Sequence, residues 1–184
     1  MKLVLVTGGA RSGKSDYAVA RALELGGANV TFVATARALD SEMVTRIERH
    51  RATRPLGWRT VEAPENVGQA ITAAATNVVV LDCLTLLCAT ALCEVQGRDP
   101  DAAQDAVLSV VGDLLEAADR RPGVLIAVTN EVGDGIVPAN ESARVFRDAL
   151  GVVNRTVAYR ANEVVLMVCG IPVVVKACAE PGGP

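Results

Sequence analysis

Leu3-Val4-Leu5-Val6-Thr7-Gly8-Gly9-Ala10-Arg11-Ser12-Gly13-Lys14-Ser15 decides the fold. An aliphatic run enters a glycine pair, and apolar residues at Tyr17, Val19, Ala20, Ala22 and Leu23 then predict a helix that stops at Gly26-Gly27. Strand, glycine-rich loop and helix, with Gly8, Gly13, Lys14 and Ser15 at the G-x-x-x-x-G-K-S positions, describe a phosphate-binding P-loop. The glycines let successive backbone N–H groups curl around phosphate oxygens, and the helix N-terminus adds the positive end of its dipole. Lys14 is placed to meet the β- and γ-phosphates, and the Ser15 hydroxyl to ligate Mg²⁺. The implied ligand is a nucleoside triphosphate.

Outward from this loop, aliphatic strands alternate with helical stretches. Asn29 to Ala34, Asn77 to Asp82 and Gly123 to Thr129 read as strands, with a more exposed one over Trp58 to Glu62. Helices are expected over Glu42 to Arg54, capped by Asp40 or Ser41, and over Glu65 to Ala75. Further helices are expected over Thr85 to Gln96 with a stop near Gly97, from a cap at Asp99-Pro100 to Arg121, and over Asn140 to Asn162. Glu163 to Val168 and Ile171 to Lys176 are separated only by Cys169-Gly170, too short a link for a parallel crossover, so they form an antiparallel hairpin. Continuous Val, Leu and Ile runs imply strands buried on both faces. The expected fold is an α/β three-layer P-loop domain over residues 1–176, mostly parallel with an antiparallel edge hairpin. Residues 177–184 form a frayed tail.

The 184 residues carry a formal net charge of −3 and 3% aromatics, without the basic footprint or stacking platforms of a nucleic-acid binder. No apolar run is long enough for a membrane span. The P-loop begins at Gly8, leaving no room for a signal peptide, and the chain reads as cytoplasmic. Cys83, Cys88, Cys93, Cys169 and Cys178 contain no C-x-x-C pair, and the first three are five residues apart. That spacing turns each about 140° from the last on a helix, which does not converge thiolates on a metal. They read as small buried hydrophobes in a reducing compartment.

In a parallel sheet, ligands gather beyond the C-terminal strand ends. Those ends carry Thr35, Asp82 and Thr129-Asn130-Glu131. Asp82 fits the carboxylate that holds Mg²⁺ in P-loop enzymes; the plainer alternative is a helix cap. His50 is the only histidine, and helical spacing puts Met43, Arg46, Ile47, His50 and Arg54 on one face. Arg46, Arg49, Arg51 and Arg54 all lie within four positions of it, more guanidinium than a structural helix needs and apt for phosphate. An imidazole titrating near about 6.5 is largely neutral at pH 7 and can attack an α-phosphate. A kinase needs no such nucleophile, so these residues alone leave that chemistry a suggestion. Thr129-Asn130-Glu131-Val132-Gly133 is a second polar cluster, either functional or a turn. The guanine-reading N-K-x-D motif is absent.

Leu5 to Ser15, His50-Arg51-Ala52-Thr53-Arg54-Pro55 with Trp58, Thr129 to Gly133 with Gly135-Ile136-Val137-Pro138, and Gly170-Ile171-Pro172 together carry a resemblance. From about Lys2 to Lys176 the chain resembles the bifunctional adenosylcobinamide kinase / adenosylcobinamide-phosphate guanylyltransferase family of cobalamin biosynthesis. The resemblance implies a RecA-like P-loop fold and two reactions. Adenosylcobinamide is phosphorylated from ATP or GTP, and GMP then passes from GTP to adenosylcobinamide phosphate through a guanylylated histidine, at the position of His50. It also implies nucleotide contacts on Gly8, Gly9, Ala10, Arg11, Ser12, Gly13, Lys14 and Ser15, on Ala34, Thr35 and Ala36, on Arg51, Ala52, Thr53 and Arg54, and on Glu62 and Asp82. Lys14 acts beside His50 in catalysis, Ser15 and Asp82 hold Mg²⁺, and the assembly is a homotrimer. Two alternatives stand beside it: a P-loop kinase of another small hydroxyl compound, and a nucleotide-dependent regulatory or motor ATPase.

Overall fold

Lys2–Gly8 (β1) forms a strand because its aliphatic side chains have core on both sides. Leu3 and Leu5 face one layer of helices and Val4 and Val6 the other. The structure, a computed structural model, describes residues 1–38, 40–95 and 100–177. After β1 come Lys14–Gly26 (α1), Val30–Ala34 (β2), Ser41–Ala52 (α2), Arg59–Glu62 (β3), Val67–Ala73 (α3), Val78–Asp82 (β4) and Leu84–Glu94 (α4). Pro100–Asp119 (α5), Val124–Val128 (β5), Glu141–Arg160 (α6), Glu163–Val168 (β6) and Ile171–Lys176 (β7) complete the elements among the described residues. The expected helix stop at Gln96-Gly97, the Asp99 cap, Cys178 and the tail from 178 onward lie outside the described residues.

The seven strands order as β3-β2-β4-β5-β1-β6-β7. Every pairing is parallel except β6 with β7, where Met167 faces Pro172 and Val168 faces Ile171. The hairpin at the sheet edge is therefore as expected. The helices α3, α4, α5 and α6 cover one face of the sheet through residues such as Ile71, Leu87, Leu114 and Val153. The other face packs on α1 through Ala18 and Ala22, which meet Phe32, Val80 and Ile126. Truncating a side chain as enclosed as Ile71 to alanine costs about 2–5 kcal/mol, transfer and cavity terms together.

Two details lock the sheet's lower edge. Gly123 sits at φ +102°, and a Cβ there would stand 2.1 Å from the Asn77 carbonyl oxygen, so only glycine lets β5 start beside β4. Trp58, buried just before β3, donates its indole N–H to the Gly27 carbonyl at 3.0 Å and pins the edge strand to the end of α1.

The helix α2 differs from the others. Its cap is Asp40, whose carboxylate accepts the Met43 N–H at 2.7 Å, one of the two residues expected there. Among its described side chains none is buried. It stands over the C-terminal ends of the strands rather than against the sheet.

The cysteine expectation needs correcting in part. Cys88 is buried and Cys83 half-buried, but Cys93 and Cys169 are exposed. Cys93 falls on the outer face of α4, and Cys169 occupies the hairpin turn at φ +51°.

Candidate active site

A cavity of about 640 Å³ opens where β1, β2, β4 and β5 end. The loop residues Ala10, Arg11, Ser12, Gly13, Lys14 and Ser15 form its floor, Ala34, Ala36, Asp82 and Cys83 its centre, and Met43, Ile47, Arg49, His50 and Arg54 its roof. Leu86, Val128 and Asn130 also line it. Beside it lies a smaller cleft in which His50, Thr53 and Arg54 face Ser15, Asp16 and Asp82.

Two backbone devices shape the loop. Gly13, the residue before α1, has φ +90° and Gly8 has φ +148°, and a Cβ on Gly8 would come within 2.6 Å of the Met167 carbonyl. Lys14 folds back into its own loop, donating from Nζ to the Gly9 carbonyl at 2.6 Å. Burial lowers its pKa, while Cys83 and Asp82 pull the other way. The ammonium is thus held ready at the loop rather than paired with a carboxylate.

The Ser15 hydroxyl and the Asp82 carboxylate line the same cavity and the same smaller cleft. Burial raises the Asp82 pKa, opposed by His50, by the Ser15 side chain, and by Arg54 and Lys14. A desolvated carboxylate next to a hydroxyl is a donor set of hard oxygens suited to Mg²⁺, with phosphate oxygens and water supplying the remaining positions. Among the described residues no three His, Cys, Asp or Glu side chains gather into a metal cage, which Mg²⁺ beside a phosphate does not require.

Arg54 is half-buried, its guanidinium carbon 3.9 Å from the Phe32 ring centroid, in cation–π geometry. One terminal nitrogen donates to the Thr60 hydroxyl at 3.3 Å, and buried Nε has no partner. Burial lowers its pKa, Glu62 and Asp82 raising it and Arg51 adding to the fall.

Of the residues expected at the site, Ala10 to Ser15, Ala34, Ala36, His50, Arg54 and Asp82 come together. Thr53 reaches only the smaller cleft. Gly8 is buried beneath the loop, and exposed Gly9 contributes its carbonyl to Lys14. Thr35 spends its hydroxyl on Cys83, donating to the carbonyl at 2.7 Å and accepting from the N–H at 2.8 Å. Arg51 turns outward to Glu62, 3.8 Å away, and Ala52 is exposed; Thr35, Arg51, Ala52 and Glu62 are none of them in the cavity lining. Arg46's side chain lies outside what the structure describes. Met43 and Ile47 line the roof as the helical face requires, with Arg49 added.

The cluster Thr129-Asn130-Glu131 divides into three tasks. Thr129 turns away from the cavity, donating to Asn154 Oδ1 at 2.7 Å. Glu131 accepts the Gly133 N–H at 2.8 Å, while its own N–H donates to the Gly8 carbonyl at 2.9 Å. Only Asn130 faces the cavity. Cys83 and Val128 had no sequence signal beyond lying at strand ends, and Leu86, in the first turn of α4, had none.

Comparison with known proteins shows the family and the fold. The family model described as cobinamide kinase / cobinamide phosphate guanyltransferase matches residues 4–175. The chain is 44% identical over 182 residues to the bifunctional adenosylcobalamin biosynthesis protein CobU of Escherichia coli (strain K12), covering 95% of this chain and 99% of that one. It is 40% identical over 178 residues to the bifunctional adenosylcobalamin biosynthesis protein CobP of Pseudomonas aeruginosa, covering 94% and 96%. Among solved structures it resembles an ATPase domain at a TM-score of 0.57 and 12% identity, over 99% of this chain and 79% of that one. A prototypical ATPase from the type III secretion system of pathogenic bacteria gives the same TM-score of 0.57 at 13% identity, over 91% of this chain and 52% of the other. At such identity these two likenesses speak to the P-loop ATPase fold alone.

Proposed function

Given that this chain belongs to the cobinamide kinase / cobinamide phosphate guanyltransferase family, we propose that one cavity carries both family reactions and that His50 is the guanylyl carrier. The first reaction phosphorylates adenosylcobinamide. The second transfers GMP from GTP to adenosylcobinamide phosphate in cobalamin biosynthesis, releasing pyrophosphate. One observation carries the proposal: His50 lines the same cavity as Lys14, Ser15 and Asp82. A kinase acting on some other hydroxyl compound would not need its single histidine there.

In the kinase step the loop N–H groups hold the phosphates, and Lys14 exchanges the Gly9 carbonyl for the β- and γ-phosphates. The substrate hydroxyl then attacks the γ-phosphorus, and ADP or GDP leaves. Ser15 and Asp82 would hold Mg²⁺, which when bound supplies neutralising charge to the phosphate oxygens. In the guanylyl step the neutral imidazole of His50 attacks the α-phosphorus of GTP. An N–P bond forms, the bond to the bridging α–β oxygen breaks, and pyrophosphate departs. The phosphate of adenosylcobinamide phosphate next attacks that phosphorus, the P–N bond breaks, and His50 is free again. Arg54, stacked on Phe32 with Nε unpartnered, and Arg49 offer guanidinium groups to the charge on the transferred phosphoryl oxygens. ATP and GTP are both donors in the first reaction and GTP alone in the second. Arg51, Ala52, Thr53 and Glu62 are assigned to the nucleotide by family resemblance. For Arg51 and Glu62 this requires their mutual pair to open, which costs little at an exposed site.

No helix among the described residues is long and apolar enough to cross a membrane. The substrates and nucleotides are those of the cytoplasm, where we place the enzyme. A homotrimer is supported by β7, whose Ile171, Val173, Val174 and Val175 are exposed on a free sheet edge that other chains can cover. Light scattering should return about three times the 19.1 kDa chain mass.

Incubation with α-labelled GTP and Mg²⁺ tests the central proposal. Label stable to alkali and lost in acid, absent from His50→Ala, is the expected result. An unlabelled wild-type protein would remove the histidine carrier.

A further inference from the structure

From the place where β5 ends, between the phosphate loop and Asp82, we infer that Asn130 is a catalytic residue of the phosphoryl-transfer step, donating its side-chain amide to the γ-phosphoryl group. The inference builds on the His50 assignment above. The strand β5 lies between β1, which feeds the P-loop, and β4, which ends in Asp82. Its C-terminal end thus opens between the phosphate loop and the acid. Alternation along the strand sends Thr129 towards α4 and α6, and puts Val128 and Asn130 on the cavity side.

Asn130 is held unusually firmly for a residue at a strand end. Its N–H donates to the Thr85 hydroxyl at 2.8 Å, and its carbonyl accepts from Asn154 Nδ2 at 3.0 Å. Thr85, Thr129 and Asn154 are further linked, with Thr129 3.4 Å from Thr85 and 2.7 Å from Asn154. Two helices and a strand thereby fix the backbone of one residue, while its side-chain amide has no protein partner among the described residues. A half-buried amide, fixed behind and free in front, is built to meet something in the cavity.

Position along the triphosphate decides which phosphate it meets. His50 shares the smaller cleft with Ser15 and Asp16 at the start of α1, and Asn130 is not part of that cleft. If His50 addresses the α-phosphate, the chain of phosphates runs from that end past Lys14. The γ-phosphoryl group then falls beside the Lys14 ammonium, which bonds the Gly9 carbonyl at 2.6 Å, and Asn130 adjoins that segment because the next residue, Glu131, donates its N–H to the Gly8 carbonyl at 2.9 Å. Charge develops there when the hydroxyl attacks, and a prearranged donor is worth most at that place. In the guanylyl step the reacting phosphorus is two phosphates away.

The test compares both reactions in one preparation of Asn130→Ala. Kinase kcat with adenosylcobinamide and ATP should fall about 100-fold with the ATP KM changed less than about threefold, as for loss of one transition-state donor. Labelling of His50 by α-labelled GTP should stay within about threefold of wild type, which also reports an intact fold. Asn130→Asp, which cannot donate and brings negative charge to the γ-phosphate, should be at least as slow. Kinase turnover within about threefold of wild type in either variant overturns the inference, as does a parallel fall in both reactions. Should the wild type fail to label, the histidine carrier is lost, and the kcat-against-KM split in the kinase assay still decides Asn130.

Discussion

The Gly170 N–H donates to the Ser12 carbonyl at 3.1 Å, so the turn of the C-terminal hairpin forms part of the phosphate loop's frame. The same turn brings the Gly170 Cα within 3.5 Å of the place a Cβ on Gly13 would occupy, and Met167 from β6 fills the space beside Gly8. The loop is therefore shaped by a distant hairpin as well as by its own glycines. Gly170 itself holds φ +83°, a conformation open to glycine at little cost.

Gly170→Ala should consequently disturb nucleotide binding from outside the site. Space is available, since nothing lies within 4 Å of the added Cβ, so the penalty is backbone strain of about 1–2 kcal/mol. The turn can relieve that strain by releasing Ser12. Thermal unfolding should drop by a few degrees, and the dissociation constant for GTP should rise several-fold. Titration calorimetry on the two proteins checks it; unchanged affinity with lowered stability would show that the hairpin supports the sheet edge but not the loop.

Lys14→Ala should abolish phosphoryl transfer and weaken triphosphate binding, because the β- and γ-phosphate charge loses its cation. A fall of at least about 100-fold in kcat is expected. The apo protein should not suffer. Burial lowers the Lys14 pKa, so the folded state binds that proton less tightly than the unfolded chain. The associated penalty is present at neutral pH and is relieved as pH rises through the lowered folded value towards the ordinary lysine value of 10.5. Removing the ammonium removes the penalty, and apo unfolding at pH 7 should be unchanged or slightly higher.

Asp82→Asn should separate stability from function more sharply. Burial raises the Asp82 carboxyl above its ordinary value of 3.8, so the folded state holds this proton more tightly than the unfolded chain. Stability from this group is fully present below 3.8 and declines as pH rises through the raised folded value. A neutral amide is free of that decline. Without nucleotide or Mg²⁺, the variant should unfold at a temperature about 2–4 °C higher at pH 7, a gain on the order of 1 kcal/mol. Its nucleotide binding should lose dependence on Mg²⁺. A variant that is less stable at pH 7 would mean that Lys14, Arg54 and His50 need the Asp82 charge more than burial opposes it.

The aliphatic strands, the P-loop, the antiparallel hairpin and the inward placement of Asp82 were legible because each depends on local pattern. The α2 residues were legible only in part. His50, Met43 and Ile47 follow the helical period and line the cavity, and Arg54 joins them from two residues beyond the end of α2, but Arg51 is adjacent to His50 and so about 100° around the helix from it. It points instead to Glu62, which sits at the end of the edge strand. Thr35 follows a strand end, and its hydroxyl is occupied by the Cys83 backbone across the β2–β4 junction. Nothing local reports such a partner 48 residues away. Cysteine type likewise says little about burial at a turn, which is why exposed Cys169 escaped notice. Asn130 was visible only as one of three polar residues. Choosing among them required the strand's alternation and the Asn154 clamp.

The last prediction concerns how α2 delivers His50. With no described side chain buried, the helix draws its order from few sources, and the Asp40 cap to the Met43 N–H is one of them. Loss of such a cap costs about 1 kcal/mol. In Asp40→Ala that cost should fall on α2 alone, since the sheet and the other helices do not depend on it. The global unfolding temperature should therefore stay within about 1 °C of wild type, because a locally opening helix contributes little to the cooperative transition. Amide exchange along residues 43–52 should accelerate, and His50 labelling should slow several-fold as the helix spends more time frayed. Kinase turnover, which draws on Lys14 and the loop, should change much less. If labelling and kinase rates instead fall together, α2 serves as a lid over the whole cavity, and its roof residues Met43 and Ile47 become part of the kinase site as well.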